Sequence, residues 1–434
     1  MVAYAETLTE KERRRGRIYA YFACLFGCVS EVMIDSSAII IIYFTMLKGG
    51  DMLTMLGTSF SGLMGTFLYI PGGIIVMHLG LKRTVRYACM LGCAGFLLMA
   101  LAPLFGIWAK YAALAGCLIY SIQRSCYGAT WYPLLDIFLR QEDRAKFFGT
   151  MRFFYTCFTG GLFFVIGLIL QKNPPIIFIQ LVIAVTGLLI LGRNYCISRF
   201  PDNLRDAPEK PQVKKGLSIA LHNGSLTAYS VYVGLLMLSY NSLLPMLYLY
   251  LKQYVQMNSG TVQILSSIGL VGSMTGYLCY SRVFNDTKLK YLELLVHVLC
   301  TVVALLLFLV DKSMPGFTFF AGAMVWCLTF AASIHLCNFS AELLTLARPG
   351  NKMMAMTFVQ TYSNCGTAVS RVGVSLILGT AMLAPVWEFC GREVSRYQTL
   401  FLASFVMLLI LFLLLPTLSS FVPPAYMDNE ESKK

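Results

Sequence analysis

Two carboxylates stand four residues apart in the first long apolar segment of this chain of 434 residues. Glu31 and Asp35 would share one face of a helix, about 6 Å apart along its axis. Because two neighbouring carboxylates cannot both ionise cheaply, one of them is a candidate proton carrier. Their oxygens could instead coordinate sodium.

A basic side chain, Arg124, lies beside Gln123 in the middle of a later apolar segment. A guanidinium there can bind an anionic group of a solute through two hydrogen bonds, or it can neutralise a carboxylate until a proton or solute releases it. A static ion pair that fixes helix register is the structural alternative. The candidate residues for binding a solute or ion are Glu31, Asp35, Gln123, Arg124, Asn241, His335, Asn338, Gln360 and Asn364.

The composition indicates the environment of these residues. Hydrophobic residues make up 57% of the chain and charged residues 13%, and the mean hydropathy is +0.69. A soluble domain carries roughly twice that charged fraction. The composition therefore excludes a soluble enzyme, a disordered chain and a disulfide-stapled secreted module, and it indicates a polytopic membrane protein.

Twelve apolar segments reach the length of about 20 residues that a membrane-spanning helix needs. Because a lipid-exposed backbone must satisfy its own hydrogen bonds, these segments predict helices. The expected fold is an all-α integral membrane protein with twelve transmembrane helices in two pseudo-symmetric six-helix bundles. The predicted spans are 18–46, 53–79, 85–108, 111–139, 148–170, 175–193, 226–251, 261–281, 291–310, 316–346, 353–384 and 398–422.

Positive charge alternates along the connections between the spans. Of the 34 Lys and Arg residues, 24 lie in the tails and the even-numbered connections, with Arg193 counted in the sixth connection. Seven lie in the odd-numbered connections, and three lie within spans. The positive-inside rule then places both termini in the cytoplasm, and the plasma (inner) membrane is the expected location. Topology accounts for the net charge of +13, so the lipid bilayer is the expected partner and nucleic acid is not.

A polar stretch at 194–216 contains three prolines and reads as a cytoplasmic linker. It divides the chain into an N-terminal bundle, 1–193, and a C-terminal bundle with a short cytoplasmic tail, 217–434. Shifted by 208 residues, 132–152 lies over 340–360 with a matching pattern of span, arginine, polar link and span. Internal repeats of this kind are common in secondary transporters, although two apolar helical hairpins can also align by chance.

The connection between the second and third spans, Gly73 to Arg83, reads GIIVMHLGLKR. It resembles the loop signature of the major facilitator superfamily, G-x-x-x-D-R-x-G-x-R-R. Gly73, Gly80, Lys82 and Arg83 match, whereas methionine and histidine stand where the family has Asp and Arg. The resemblance implies a twelve-span secondary carrier, by default a monomer, whose spans one, four, seven and ten line a central cavity.

The resemblance also implies roles for single residues. Lining of the cavity by spans one and four would bring Arg124 opposite both carboxylates. In this family the loop contacts brace the outward-facing state, with Gly80 supplying the turn and Gly73 a close helix approach. Plain positive-inside topology is the alternative for the two basic residues. The candidate gating residues are Gly73, Gly80, Lys82, Arg83, Asp136, Arg144, Arg152 and Glu342.

Other polar residues in the spans have ordinary structural alternatives. His335 can be a hydrogen-bonded interior histidine, and Arg371, placed toward the outer half of span eleven, can extend its head group to the interface. In span seven, Pro245 would free backbone carbonyls near Asn241.

Motifs of other protein classes are missing from the sequence. It contains no HExxH, GxSxG or GxxxxGK[ST] and no CxxC pair, so no enzyme, ATP-driven pump, metal site or cofactor is expected. The prediction is a secondary transporter that moves a small polar solute by alternating access, coupled to a proton or sodium as a symporter. Drug antiporters of the family that the chain resembles usually have a Gly- and Pro-rich pattern in span five; here 158–167 has glycines but no proline, so the resemblance favours symport over a proton-driven efflux antiporter. A solute sensor or lipid mover on a transporter scaffold is the alternative from another class.

Overall fold

The computed structural model describes residues 8–140, 144–201, 213–284, 287, 289–346, 352–380 and 382–415. Within these residues the chain is almost entirely helical, as predicted. The helices are α1 (Glu10–Asp35), α2 (Ile39–Met46), α3 (Gly50–Leu79), α4 (Leu81–Leu101), α5 (Ala109–Asp136), α6 (Arg144–Leu170), α7 (Ile176–Ser198), α8 (Val213–Leu221), α9 (Gly224–Tyr240), α10 (Leu243–Gln253), α11 (Ser259–Arg282), α12 (Leu289–Leu309), α13 (Phe317–Leu346), α14 (Lys352–Gly379) and α15 (Arg396–Leu414). A 3-10 segment, Ala102–Trp108, joins α4 to α5.

Ten stretches of the described residues are helical, long and apolar enough to cross a membrane. One of them, Leu81–Leu135, is 55 residues long and covers two predicted spans, the third and the fourth. Helix α14, which corresponds to predicted span eleven, is not among the ten. The protein is therefore a multi-pass membrane protein of the all-α class, and the count of twelve stays a prediction.

The first predicted span is broken in the middle. Helix α1 begins with a capping box, in which the side chain of Thr9 accepts from the backbone N–H of Glu12 and the Glu12 side chain accepts from the backbone of Thr9. It ends at Asp35, and the chain resumes as α2 at Ile39. The hydroxyl of Ser37 stabilises the break by donating to the Met33 carbonyl (3.1 Å) and accepting from the Ile39 N–H (3.2 Å). Such short polar side chains compete with helical hydrogen bonds.

The seventh predicted span has a matching break between α9 and α10, at Asn241 and Ser242. Pro245 lies four residues after Asn241 and has no N–H, so the carbonyl of Asn241 loses its usual helical donor. The broken helices, one in each half of the chain, bring irregular backbone to the same depth. Irregular backbone in a membrane is tolerated where it lines a cavity or is buried in protein.

The helices pack as two groups, α1 to α7 and α9 to α15, which meet along two seams. Helix α3 packs on α14 in the first seam and α6 packs on α11 in the second. Glycines allow close approach: a Cβ added at Gly65 would lie 2.6 Å from the Asn364 side chain, and one added at Gly167 would lie 3.1 Å from the Ile264 backbone nitrogen. The predicted linker lies mostly outside the described residues, at 202–212, so the domain boundaries stay a prediction.

The internal repeat stays a prediction. Its two copies, shifted by 208 residues, include helices α6 and α14, and each of these helices forms a seam with the opposite group.

A β hairpin precedes α15, in a connection where the sequence predicted no strand. Strands β1 (Val386–Phe389) and β2 (Arg392–Ser395) pair antiparallel. The two turn residues, Cys390 and Gly391, both have positive φ, at 51° and 75°, as tight hairpin turns require. The face of the membrane domain that carries this hairpin is called the hairpin side, and the face with the first residue of α1 is called the basic side.

Candidate functional site

A cavity of about 440 Å³ lies between the two helix groups. It is lined by α1, α3 and α5 on one side and by α9, α10, α13 and α14 on the other. Four charged residues border it, namely Glu31, Asp35, Arg124 and Arg371. Hydroxyl and amide groups border it as well: Ser36, Ser61, Ser125, Asn241, Thr329, Gln360, Ser363, Asn364 and Thr367. The aromatic lining residues are Tyr69, Tyr127, Trp131 and Tyr240.

Asp35 and Arg124 form an ion pair at the wall of this cavity. Asp35 is the last residue of α1, and Arg124 lies in the middle of α5. The second carboxylate oxygen of Asp35, Oδ1, is buried and has no hydrogen-bond partner among the described residues. Asp35 is thus neutralised by the Arg124 guanidinium, and its Oδ1 remains able to accept a hydrogen bond from a solute hydroxyl.

Glu31 has a different partner, Arg193 of α7. The Arg193 Nη2 lies 2.6 Å from Glu31 Oε1, and its Nε donates to the Ala23 carbonyl at 3.2 Å. The same guanidinium lies over the ring of Tyr127, 4.1 Å from its centroid. Gly27 makes room for it, because a Cβ at that position would coincide with the guanidinium.

These contacts change two sequence-based predictions. Arg124 pairs with Asp35, but Glu31 is held by Arg193 instead, so Arg124 is not shared between the two carboxylates. Arg193 was assigned to a connection, yet it lies within α7 and is only 2% exposed. The available signal was that apolar residues continue beyond Arg193, at Tyr195, Cys196 and Ile197, so the helix could extend past it.

Arg371 connects the two broken helices. It is 6% exposed, lines the cavity, and donates through Nε to Oδ1 of Asn241 at 2.9 Å and through Nη1 to the carbonyl of Thr58 at 2.8 Å. Its Nη2 lies 3.3 Å from the carbonyl of Asp35. The prediction that Arg371 extends to the membrane interface is wrong, because a buried guanidinium needs several acceptors and the helix breaks provide them.

The predicted binding residues divide into two sets. Six of them line the cavity, namely Glu31, Asp35, Arg124, Asn241, Gln360 and Asn364. Gln123 does not: it is 1% exposed and packs against α4, where a Cβ added at Gly92 would lie 2.9 Å from its Cγ. One helical position separates Gln123 from Arg124, and adjacent residues point about 100° apart around a helix.

His335 and Asn338 also lie away from the cavity, because they surround Glu293 of α12. His335 Nδ1 lies 2.8 Å from Glu293 Oε1, and the Asn338 amide donates to Oε2 at 2.6 Å. The Tyr232 hydroxyl donates to Oε1 at 2.9 Å and lies 3.3 Å from His297 Nδ1. Sequence reasoning missed Glu293, although Glu293 and His297 stand four apart in one apolar segment, as Glu31 and Asp35 do.

The predicted gating loop has a defined geometry. Gly80 has φ +81° and joins α3 to α4 directly, as a sharp turn requires. Lys82 donates to the Phe200 carbonyl at 2.7 Å, beyond the end of α7, and Arg83 is exposed. Gly73 does not provide the expected close helix approach, because no described atom lies within 4 Å of a Cβ added there.

The remaining gating candidates lie toward the basic side. Arg152 donates to the sulfur of Cys337 at 3.1 Å and lies over the ring of Tyr277 at 5.2 Å, so it joins α6 to two helices of the other group. Glu342 is half-buried in α13. The side chains of Asp136 and Arg144 lie outside the described part of the structure.

Several polar contacts between the two helix groups lie on the hairpin side. Asp51 at the start of α3 pairs with Arg396 and accepts from the Tyr397 hydroxyl at 2.5 Å. The Ser375 hydroxyl donates to the Met52 carbonyl at 2.7 Å. These contacts, with those of Arg371, join the two helix groups on the hairpin side of the cavity.

Solved structures of transporters share this architecture. The nucleoside transporter NupG superposes with a TM-score of 0.66 at 15% identity, covering 94% of this chain and 98% of that one. A D-xylose-proton symporter gives 0.70 at 11% identity, covering 93% and 97%. A bacterial homologue of the iron transporter ferroportin, in an inward-facing state, gives 0.60 at 12% identity, covering 94% and 99%. No protein-family model matches the chain, and no curated protein sequence does.

At these identities the likeness defines the fold. The chain has the major-facilitator type of transporter fold along nearly its whole length. Spans one, four, seven and ten border the cavity between the two helix groups, as the sequence resemblance predicted, and spans two and eleven border it as well.

Proposed function

We propose that this protein is a secondary active transporter that moves a small, neutral, hydroxylated solute through the cavity by alternating access. The observation that carries the proposal is a cavity of about 440 Å³ between two helix groups, at the level of two broken helices. Its size is within the range of small-molecule sites. Broken helices beside a site between repeats are a feature of such carriers. The fold neighbours are transporters by name, which agrees with the prediction that the chain is not an enzyme.

The charges of the cavity support a neutral solute. Two carboxylates and two guanidiniums line it, and with Arg193 paired to Glu31 from outside the lining the formal charges sum to +1, carried by Arg371. Each carboxylate already has an arginine, and Arg371 is engaged by carbonyl and amide oxygens. A charged solute would have to break these contacts in a region of low dielectric constant.

Hydroxylated rings fit the remaining lining. Amides of Gln360 and Asn364, one helical turn apart on α14, face the same space as the ring of Trp131. The Asn364 Nδ2 is buried without a hydrogen-bond partner among the described residues, so a solute oxygen can accept from it. Named neighbours that carry a nucleoside and a pentose support this class of solute.

Alternating access then requires the two groups to rock about their seams. Release of the hairpin-side contacts at Asp51 opens the cavity to that side, and their closure favours access from the basic side. We place the basic side in the cytoplasm on the charge pattern and propose the plasma membrane as the location. The Asp35–Arg124 pair is the part of the wall that a solute hydroxyl can rearrange.

The coupling ion is a proton or sodium. The hypothesis that Glu31 and Asp35 share one proton relied on their mutual repulsion, and separate arginines now offset that repulsion. A symporter is favoured over an efflux antiporter by the proline-free segment of α6. A sensor or lipid mover on the same scaffold would bind solute without moving it.

Thermal-shift screening of purified protein with uridine, D-xylose, succinate and glycine tests the solute class first. Uptake of the compound that stabilises the protein is then followed in liposomes with a proton or sodium gradient. We expect uridine or D-xylose to stabilise the protein and Asp35→Asn to abolish uptake, whereas the matched control Asp311→Asn, in a hairpin-side loop, leaves it intact. Stabilisation by succinate alone, or unchanged uptake by Asp35→Asn, would overturn this proposal, and binding without uptake would favour the sensor.

A further inference from the structure

A second polar cluster lies in the C-terminal helix group, apart from the cavity. It consists of Glu293 and His297 of α12, His335 and Asn338 of α13, and Tyr232 of α9, and is called the Glu293 cluster. Each of these side chains is at most 4% exposed, and none lines the cavity. Buried ionisable residues in a membrane are costly and usually functional.

The hydrogen bonds define where the protons of the two imidazoles lie. Glu293 Oε1 is an acceptor, so His335 Nδ1 must donate to it. The Tyr232 hydroxyl donates to Glu293, and the Glu293 backbone carbonyl lies 3.2 Å from His297 Nδ1, so that nitrogen donates too. A neutral imidazole carries one N–H. Both Nε2 atoms are therefore free to accept a proton, and neither has a hydrogen-bond partner among the described residues.

The negative charge of Glu293 favours His335 as the imidazole that accepts a proton. With Glu293 ionised and both histidines neutral, the cluster has a net charge of −1 in a buried site. In the described part of the chain, Glu293 forms no salt bridge with a lysine or arginine; its ion-pair partner is His335. Protonation at His335 Nε2 converts the pair into a neutral imidazolium–carboxylate pair, which offsets the cost of burying a lone charge.

The titratable groups around Glu293 come from four helices. Those near enough to interact electrostatically with Glu293 are His297 and Cys300 on its own helix, His335 and Glu342 on α13, Tyr229, Tyr232 and Tyr240 on α9, and Tyr280 on α11. Helix α15, which also packs on α12, has no titratable side chain after Tyr397 in its described length. No three His, Cys, Asp or Glu side chains of the described residues are arranged to hold a metal ion.

We propose that the Glu293 cluster binds the coupling proton of this transporter, at a site separate from the solute cavity. This rests on the transport function proposed above. In each cycle one proton from the aqueous phase adds to His335, with Glu293 as its counter-ion, and the same proton leaves to the opposite side.

Helix α9 connects this site to the cavity. Tyr232 lies in the cluster, while Tyr240, eight residues along the same helix, lines the cavity and meets His335 edge-on with 6.4 Å between ring centroids. Asn241, at the break that follows, accepts from Arg371. Protonation that changes the hydrogen bond of Tyr232 thus acts on the helix whose end borders the cavity and holds Arg371, which in turn contacts the other helix group.

Proton counting on purified, solute-free protein tests the site independently of transport. We expect wild type to take up about one more proton than the double variant Glu293→Gln/His335→Gln between about pH 8 and pH 5, the range in which histidine titrates. His222→Gln removes an exposed histidine and calibrates the loss of one imidazole. Equal proton uptake by wild type and the double variant would overturn the proposal. If the double variant does not fold, Glu293→Gln alone is used, because it removes the counter-ion with little change of shape.

Liposomes with uridine or D-xylose as the probe test the coupling. We expect the double variant to keep solute exchange between the two sides but to lose proton-driven accumulation by about tenfold or more, while His222→Gln retains both. Accumulation driven by sodium and not by protons would overturn the proton site and leave the transport proposal standing. If wild type moves neither probe, the solute proposal fails, and the proton count still decides whether the cluster binds a proton.

Discussion

The guanidinium of Arg371 lies 2.9 Å from the side-chain oxygen of Asn241 and 3.4 Å from its backbone oxygen. The second of these is the carbonyl that Pro245 leaves without its helical donor. Through its other nitrogens Arg371 reaches the carbonyls of Thr58 and Asp35 in the opposite helix group. One side chain thereby satisfies the irregular backbone of both broken helices and ties the two groups together on the hairpin side of the cavity.

Replacement of Arg371 should loosen this junction. Lysine keeps the charge but has no planar fork of donors, so Arg371→Lys should leave at least one carbonyl unsatisfied, at a cost of about 2 kcal/mol. We expect a melting temperature in detergent that is lower by roughly 2 °C. Arg83→Lys, at an exposed position, is the matched control, and equal melting temperatures for the two variants would contradict the bridging role.

Gly27 and Gly73 provide a matched pair of helical glycines. A methyl group at Gly27 would occupy the place of the Arg193 guanidinium, whereas one at Gly73 meets no described atom within 4 Å. Gly27→Ala should separate Arg193 from Glu31 and destabilise the protein by about 3 kcal/mol, as the breaking of a buried ion pair does. Gly73→Ala should be nearly neutral. Melting temperatures of the two variants check this, and a larger loss at Gly73 would show that the packing around Arg193 is misjudged.

Substitutions of Asn364 and Gln123 test which buried amides belong to the solute site. Both are amides in the middle of helices, but Asn364 lines the cavity and Gln123 does not. Loss of one solute hydrogen bond is worth about 1 kcal/mol, so Asn364→Ala should weaken solute affinity by roughly fivefold. Gln123→Met should leave affinity unchanged, as measured by titration of the thermal shift. If Gln123→Met weakened affinity as much as Asn364→Ala, the solute would not bind in the cavity described here.

Cys390 reports the orientation of the protein. It lies exposed in the turn of the β hairpin, on the side opposite the basic connections. If those connections are cytoplasmic, a membrane-impermeant maleimide added to intact cells should label Cys390, as read by peptide mass spectrometry. Labelling only after the cells are permeabilised would reverse the orientation.

Asp51 should control opening of the cavity on the hairpin side. Asp51→Asn weakens its pairing with Arg396, so the open state should gain population by about tenfold for each 1.4 kcal/mol lost. The readout is maleimide labelling of Ser61→Cys, which places a thiol in the cavity wall, with Cys390 as internal standard. Asp311→Asn is the control, because Asp311 bonds within its own loop, to the N–H of Ser313 at 2.7 Å. Equal labelling of Ser61→Cys in the Asp51→Asn and Asp311→Asn variants would contradict this role of Asp51.

The class of fold and many of the cavity residues could be predicted from the amino-acid sequence. Long apolar segments and the alternation of basic connections predict a helical membrane protein, because both depend on local composition and the thickness of the bilayer. Polar residues such as Asp35, Arg124 and Asn241 could be identified because a charge or amide in an apolar segment is costly wherever it lies.

Tertiary structure alone decided which of these residues meet. Arg193 reaches Glu31 because α7 packs on α1 beside Gly27, and Arg371 reaches both helix breaks because α14 packs on α3. Likewise, His335 points to Glu293 and not to the cavity because of its rotation about α13. The amino-acid composition of a span does not specify how the helix is rotated about its axis or which helices pack against it. The partner of a buried charge depends on both, so it could not be predicted from the local sequence.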